Sequence, residues 1–174
     1  MPRERRGVDK MAIKDLTEEE IQRAIEGGYR AAGNVFRSMM DVLERRYGKE
    51  VAREVAAEVV RQKAEAAGEI AAARFGKGGL EQLAAAHRAG FPGIQILELT
   101  PTRYVIRDNR CPIVEAWRQS GLSEERIKEL GDQYCWGDLH FARCFHPKIE
   151  LEFQARLAEG KPYCQWVFTL KGNG

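Results

Sequence analysis

Nowhere does the 174-residue chain string together the roughly 18 apolar residues of a membrane-spanning helix, so no membrane partner is expected. The basic first residues, MPRERRGVDKMAIKD, lack the apolar run of a secretory signal. They read as a flexible tail over 1–15, ahead of a single domain over 16–174. Charge of one sign is missing too. The 28 Lys and Arg against 26 Asp and Glu leave a net +2, which gives no electrostatic case for nucleic acid. Cysteine is sparse, four in all, and no two have the C-x₂-C spacing of a zinc ribbon. These absences together imply a cytoplasmic protein, in which four cysteines are thiols or metal ligands ahead of disulfides. An apolar share of 44% suits one soluble domain with its own core.

What is there divides into a helical first half and a chemically richer last third. Thr17 and Glu20 fit a capping box that opens a helix. Ile21, Ile25, Gly28, Ala32, Val35, Met39 and Leu43 then recur at helical steps, and Gly48 is a stop. A second helix from about Glu50 presents Val51, Val55 and Val59 as its inner face and runs to Phe75. The Gly-Lys-Gly-Gly run from Gly76 to Gly79 follows a helix rather than a strand and lacks the Lys-Ser/Thr ending. It therefore reads as a helix–helix turn, not a phosphate loop. Leu80 to Ala89 is a third helix, with His87 near its end as a surface or capping residue.

From Ile94 the pattern turns β-prone. Ile94–Leu99 and Arg103–Arg107 read as two strands, or one bent at Thr100-Pro101. More helix follows, then strands around Ile149–Phe153 and Tyr163–Leu170. This order predicts an α+β fold: N-terminal helices packed on an antiparallel sheet, with a cysteine-bearing helix pair inserted before the last hairpin.

All four cysteines lie in this last third. Cys111 precedes Pro112, and proline favours the first helical position, so Cys111 is placed at an N-cap. There the helix dipole and free N–H groups would favour the thiolate; a small apolar cap is the alternative. Ile127, Leu130, Tyr134, Asp138, Phe141 and Phe145 fall on one stripe of a helix capped by Ser123. Asp138 is the polar exception, one turn after Cys135. A carboxylate on an inner face needs a partner, which is either a functional site or an arginine or backbone N–H. The last strand puts Cys164, Trp166, Phe168 and Leu170 on one face. Cys144 falls on another helix face, outside this group.

The order Cys111-Pro112 with Glu115, Cys135 with Asp138, Phe145 with Pro147-Lys148, and Gly160 with Cys164 resembles the L-2-amino-thiazoline-4-carboxylic acid hydrolase family. The resemblance covers roughly residues 94 to 170. It implies ring-opening hydrolysis of a cyclic amidine, aminothiazoline carboxylate, to a carbamoyl-cysteine. The chain departs from the family pattern at Cys144 and His146, where Gly and Asn are usual, and at Gln165 and Trp166, where Asp and Phe are usual. On this reading Cys111, Cys135 and Asp138 are catalytic. Glu115, His146, Cys164 and Trp166 contact a small-molecule substrate. Zinc on Cys111, Cys135 and Cys164 with Asp138 or His146 ranks below metal-free thiol chemistry, because no ligand pair is closely spaced. A sensor in the same fold without turnover is the main alternative. Organomercurial lyases offer a chemical analogy, using a Cys-x-x-Asp pair plus a distant Cys, here Cys135, Asp138 and Cys164. The long first helix could serve a homo-oligomer interface as readily as a core.

Overall fold

The computed structural model describes residues 17–91 and 93–171, so the tail expected over 1–15 lies outside them. Helix α1 spans Glu18–Phe75 and opens on the expected capping box. Thr17 Oγ1 accepts from the Glu20 N–H at 3.2 Å, and Glu20 Oε2 accepts from the Thr17 N–H at 2.8 Å. At Gly48 the backbone leaves helical geometry (φ 84°, ψ 165°). That region is open almost only to glycine, so the residue kinks α1 into two arms.

The second arm corrects the sequence expectation. Its buried residues are Ala52, Ala56, Val60, Ala64, Gly68 and Ala72, at four-residue steps. Val51, Val55 and Val59 are partly exposed on the adjoining face. Side-chain size explains the choice. A stripe of small residues lets another helix approach closely, which valines would prevent. The helix seated there is α5 (Gly137–Arg143). A Cβ on Gly137 would lie 3.3 Å from Val60 Cγ1, and a Cβ on Gly68 would lie 2.7 Å from Cys144 Sγ and 2.9 Å from the Phe141 carbonyl oxygen. Gly68→Ala should therefore push α5 outward and cost about 1–3 kcal/mol, measurable as a lower denaturant midpoint.

Helix α2 (Leu80–Gly90) follows the glycine turn. Strands β1 (Gln95–Leu99) and β2 (Arg103–Asp108) are separate and antiparallel. Strands β3 (Ile149–Ala155) and β4 (Cys164–Leu170) complete an antiparallel sheet of order β1-β2-β4-β3. Tyr104 pairs with Phe168, and Ile106 with Trp166, so these four side chains share a face. No described helix is long and apolar enough to cross a membrane.

Between β2 and β3 lie three helices, not a pair: α3 (Pro112–Gln119), α4 (Glu124–Tyr134) and α5. The continuous helix expected from Ser123 through Phe145 is interrupted at Cys135-Trp136. Three-residue bonds, Asp138 N–H to Cys135 O at 3.1 Å and Leu139 N–H to Trp136 O at 3.2 Å, tighten the chain there and redirect it. The cysteines accordingly sit at helix ends. Cys111 is the N-cap of α3, Cys135 follows α4, and Cys144 follows α5.

Two apolar clusters form the core. One joins Phe36, Met40, Ala56 and Val60 of α1 to Trp117, Ile127, Leu130 and Cys164. The other joins Ala72 and α2 to Tyr104, Phe145, Ile149 and Phe168. Trp166 packs against both. His87 belongs to the second cluster rather than the surface. It is 4% exposed, ringed by Phe91, Tyr104, Phe141 and Phe168. Burial pushes its pKa down to about 3, so it is a neutral core residue.

Candidate active site

Asp138 stands in the first turn of α5, which rests on the Ala and Gly stripe of α1. Its Oδ2 accepts from the Trp166 indole N–H at 2.7 Å. Among the described residues no arginine pairs with it. Oδ1 has no partner among the described residues and is not sealed from solvent. Burial raises the carboxyl pKa from 3.8 to about 6, against the lowering effects of the Trp166 bond and the Lys63 charge. The carboxyl thus titrates close to neutrality.

Three thiols lie within electrostatic reach of this acid. Cys135 shares its tight turn, and Asp138 is the largest charged influence on it. Cys111 is held by α3, which packs on α1 at Gly33. The Trp117 indole donates to the Gly33 carbonyl at 2.9 Å, and a Cβ on Gly33 would come within 2.7 Å of Ile113 Cγ2. Cys164 starts β4, buried, and its sulfur accepts from the Leu157 N–H at 3.3 Å. Cys135 feels both Cys111 and Cys164, and Cys164 feels Cys111.

The electrostatics reverse the expected thiolate. Burial raises the pKa of Cys111, although the N–H groups of Ile113 and Val114 pull the other way. No capping hydrogen bond forms at its sulfur. Cys135 is raised well above its usual value by burial and then by Asp138, and Cys164 is pushed up to about 12. Desolvation beside an anion outweighs the start of a two-turn helix. All three are neutral thiols at rest, so any attack by sulfur needs a base.

Tyr134, next to Cys135, and two residues far from the motifs, Tyr29 and Lys63, complete the cluster. Tyr134 ends α4, and its ring meets Phe36 edge-on. Burial and then the Asp138 charge raise the phenol of Tyr134, and that of Tyr29 to about 12. Lys63, on the second arm of α1, donates to the Tyr134 hydroxyl. Tyr134 is four residues before Asp138, but no local spacing links positions 29 and 63 to it; only the packing of α1 against α4 and α5 does.

Other expected contacts lie elsewhere. Glu115 is engaged by Arg30 at 2.6 Å and Arg110 at 3.1 Å, which anchors α3 to α1. His146 accepts from the Lys148 N–H at 3.2 Å just before β3. It adjoins the Ile149–Leu170 end of the β3–β4 pair, four residues from Trp166, about 13 Å along a strand. Cys144 lies outside the group, as expected, with its sulfur 3.4 Å from the His140 carbonyl oxygen. Among the described residues no three His, Cys, Asp or Glu side chains are arranged to hold a metal ion, so the zinc set of Cys111, Cys135, Cys164 and Asp138 does not fit. Two open grooves, of about 570 and 460 Å³, flank α1 and do not border the thiols or Asp138.

The indole N–H on Oδ2 is the bond that most favours the ionised acid. Trp166→Phe should raise the Asp138 pKa by roughly one unit. The acidic limb of any pH–rate profile would shift upward by that amount, with the basic limb unmoved.

A helical layer over an antiparallel sheet defines a small α+β protein. Residues 28–168 match the family model of L-2-amino-thiazoline-4-carboxylic acid hydrolase, and the chain belongs to that family. The match runs from the first arm of α1 to β4 and takes in every residue of the cluster. No curated protein and no solved structure matches the chain.

Proposed function

We propose that the protein hydrolyses a small cyclic amidine of the 2-aminothiazoline-4-carboxylate type, with Cys135 as nucleophile and Asp138 as its base. The observation that carries this is that a neutral thiol and a carboxyl that titrates at about 6 stand on one tight turn, each within electrostatic reach of the other. A base is most effective when its pKa lies near the operating pH, which this carboxyl meets and an ordinary aspartate does not.

The chemistry follows from the charges. A protonated 2-aminothiazoline is electrophilic at C2, and the ionised Asp138 draws that cation. Oδ1 takes the Cys135 proton as sulfur bonds to C2. The C2–S ring bond then breaks, and the ring sulfur receives that proton from Asp138. An isothiouronium ester of Cys135 remains. Water adds to the same carbon, passing one proton to the ionised Asp138 and the other to the departing Cys135 sulfur; a carbamoyl-cysteine leaves with a free thiol, and Asp138 returns its proton to solvent. Cys111 and Cys164 stay neutral and keep the surroundings of the acid poorly solvated, which sustains its raised pKa.

The test is direct. Incubation with 2-aminothiazoline-4-carboxylate should release one titratable thiol per turnover, with a product heavier than substrate by one water. If ligand binds but no thiol appears under any pH between 5 and 9, the protein is a sensor and the hydrolase reading is lost.

A further inference from the structure

We infer that Lys63 is the anion-binding residue of this cluster, the group that holds the carboxylate of a zwitterionic substrate whose cationic end faces Asp138. The inference rests on the hydrolase reading for the identity of the substrate.

The helix that carries Lys63 is rich in glutamate, yet offers it nothing. Positions three and four residues away are Val59, Val60, Ala66 and Ala67, so no carboxylate sits where a helical lysine finds one. Other cations in this region are engaged. Arg61, two residues earlier, binds Glu58 at 2.7 Å and Glu65 at 2.6 Å. Arg118 binds Glu124 at 2.8 Å, and Arg156 binds Asp132 at 2.6 Å as well as Glu159. Lys63 makes no ion pair with any described residue.

It is nevertheless held in place. Its ammonium donates to the Tyr134 hydroxyl and lies 4.4 Å from the centroid of that ring. Tyr134 ends the helix that leads into Cys135. Lys63 and Asp138 influence each other's charge without touching. A cation and an anion within electrostatic reach of each other but not paired match a molecule that carries both charges a few bonds apart. 2-Aminothiazoline-4-carboxylate does so, with an amidinium at one side of the ring and a carboxylate at the other. Pairing Lys63 with the ligand would replace a neutral phenol partner by a charged one, the stronger kind of hydrogen bond.

The experiment compares Lys63→Met and Lys63→Arg with the unaltered protein, using 2-aminothiazoline-4-carboxylate and 2-aminothiazoline, which lacks the carboxylate. Measured at about pH 8, where Asp138 is ionised with or without the Lys63 charge, Lys63→Met should raise KM for the carboxylate about ten- to a hundredfold, leave kcat within a few-fold, and change the neutral-tailed compound far less. Lys63→Arg should restore much of the loss. Equal effects on both compounds, or none, overturn the inference while leaving the hydrolase reading intact. If the unaltered protein opens neither ring, that reading fails. The anion site is then judged by calorimetry with thiophene-2-carboxylate against thiophene-2-carboxamide. Binding of the acid alone, abolished by Lys63→Met, supports the site. Binding that ignores position 63, or no binding, removes it.

Discussion

Asp138→Asn should leave a protein that is more stable at pH 7 and nearly inactive. The gain follows from the shift of its carboxyl. Folding raises the pKa from 3.8 to about 6. The native state therefore binds the proton more tightly than the unfolded chain does, and stability falls as pH rises between those two values. The contribution of this group is fully present below about pH 4 and is lost above about pH 6. A shift of that size corresponds to about 3 kcal/mol at most. Asparagine keeps an oxygen for the Trp166 indole and carries no charge to desolvate, so it should recover much of that amount. Chemical denaturation at pH 4 and pH 7 checks the point. The unaltered protein should lose stability between the two, and the variant should lose much less. Turnover should fall by about 10²–10⁴-fold, the usual contribution of a positioned base. A variant that is both less stable and fully active would show that Asp138 is a structural acid and nothing more.

Cys135→Ser should abolish turnover, by about 10³-fold or more, because serine is a far weaker nucleophile for the same base. Cys144→Ser is the control. Its sulfur lies against Gly68 and is 3.6 and 3.4 Å from the Glu65 and His140 carbonyl oxygens, outside the cluster, and its replacement should leave kcat/KM unchanged. Mass spectrometry of the unaltered enzyme quenched during turnover should find the substrate's mass on the peptide that contains Cys135. Label on Cys111 instead would move the nucleophile to the start of α3. Full activity in Cys135→Ser would exclude covalent chemistry at that position and leave an Asp138-activated water.

Much of this arrangement could be read from the sequence, and the failures have physical causes. Proline after Cys111 fixed a helix start, and alternation placed Cys164 and Trp166 on the helix-facing side of β4, because both signals are local. The inner face of the second arm of α1 was misjudged by one residue. Hydropathy favours valine over alanine, but helix–helix distance favours alanine, and distance decided. The thiolate expected at Cys111 failed for a related reason. The dipole of a short helix is local and modest, whereas desolvation depends on everything that packs around the sulfur. Tyr134 was legible on the Asp138 stripe, but its bond to Lys63 left no sequence signal, since 71 positions separate the two. The missing carboxylates around Lys63 were visible in the sequence, and acquire meaning once its neighbour is known.

The indole clamp on Oδ2 of Asp138 also limits what the protein can recognise. A carboxylate with both oxygens free grips a guanidinium with two parallel prongs. Here one prong is already taken, so a guanidinium and a ring amidinium alike would meet this carboxylate through its other oxygen alone.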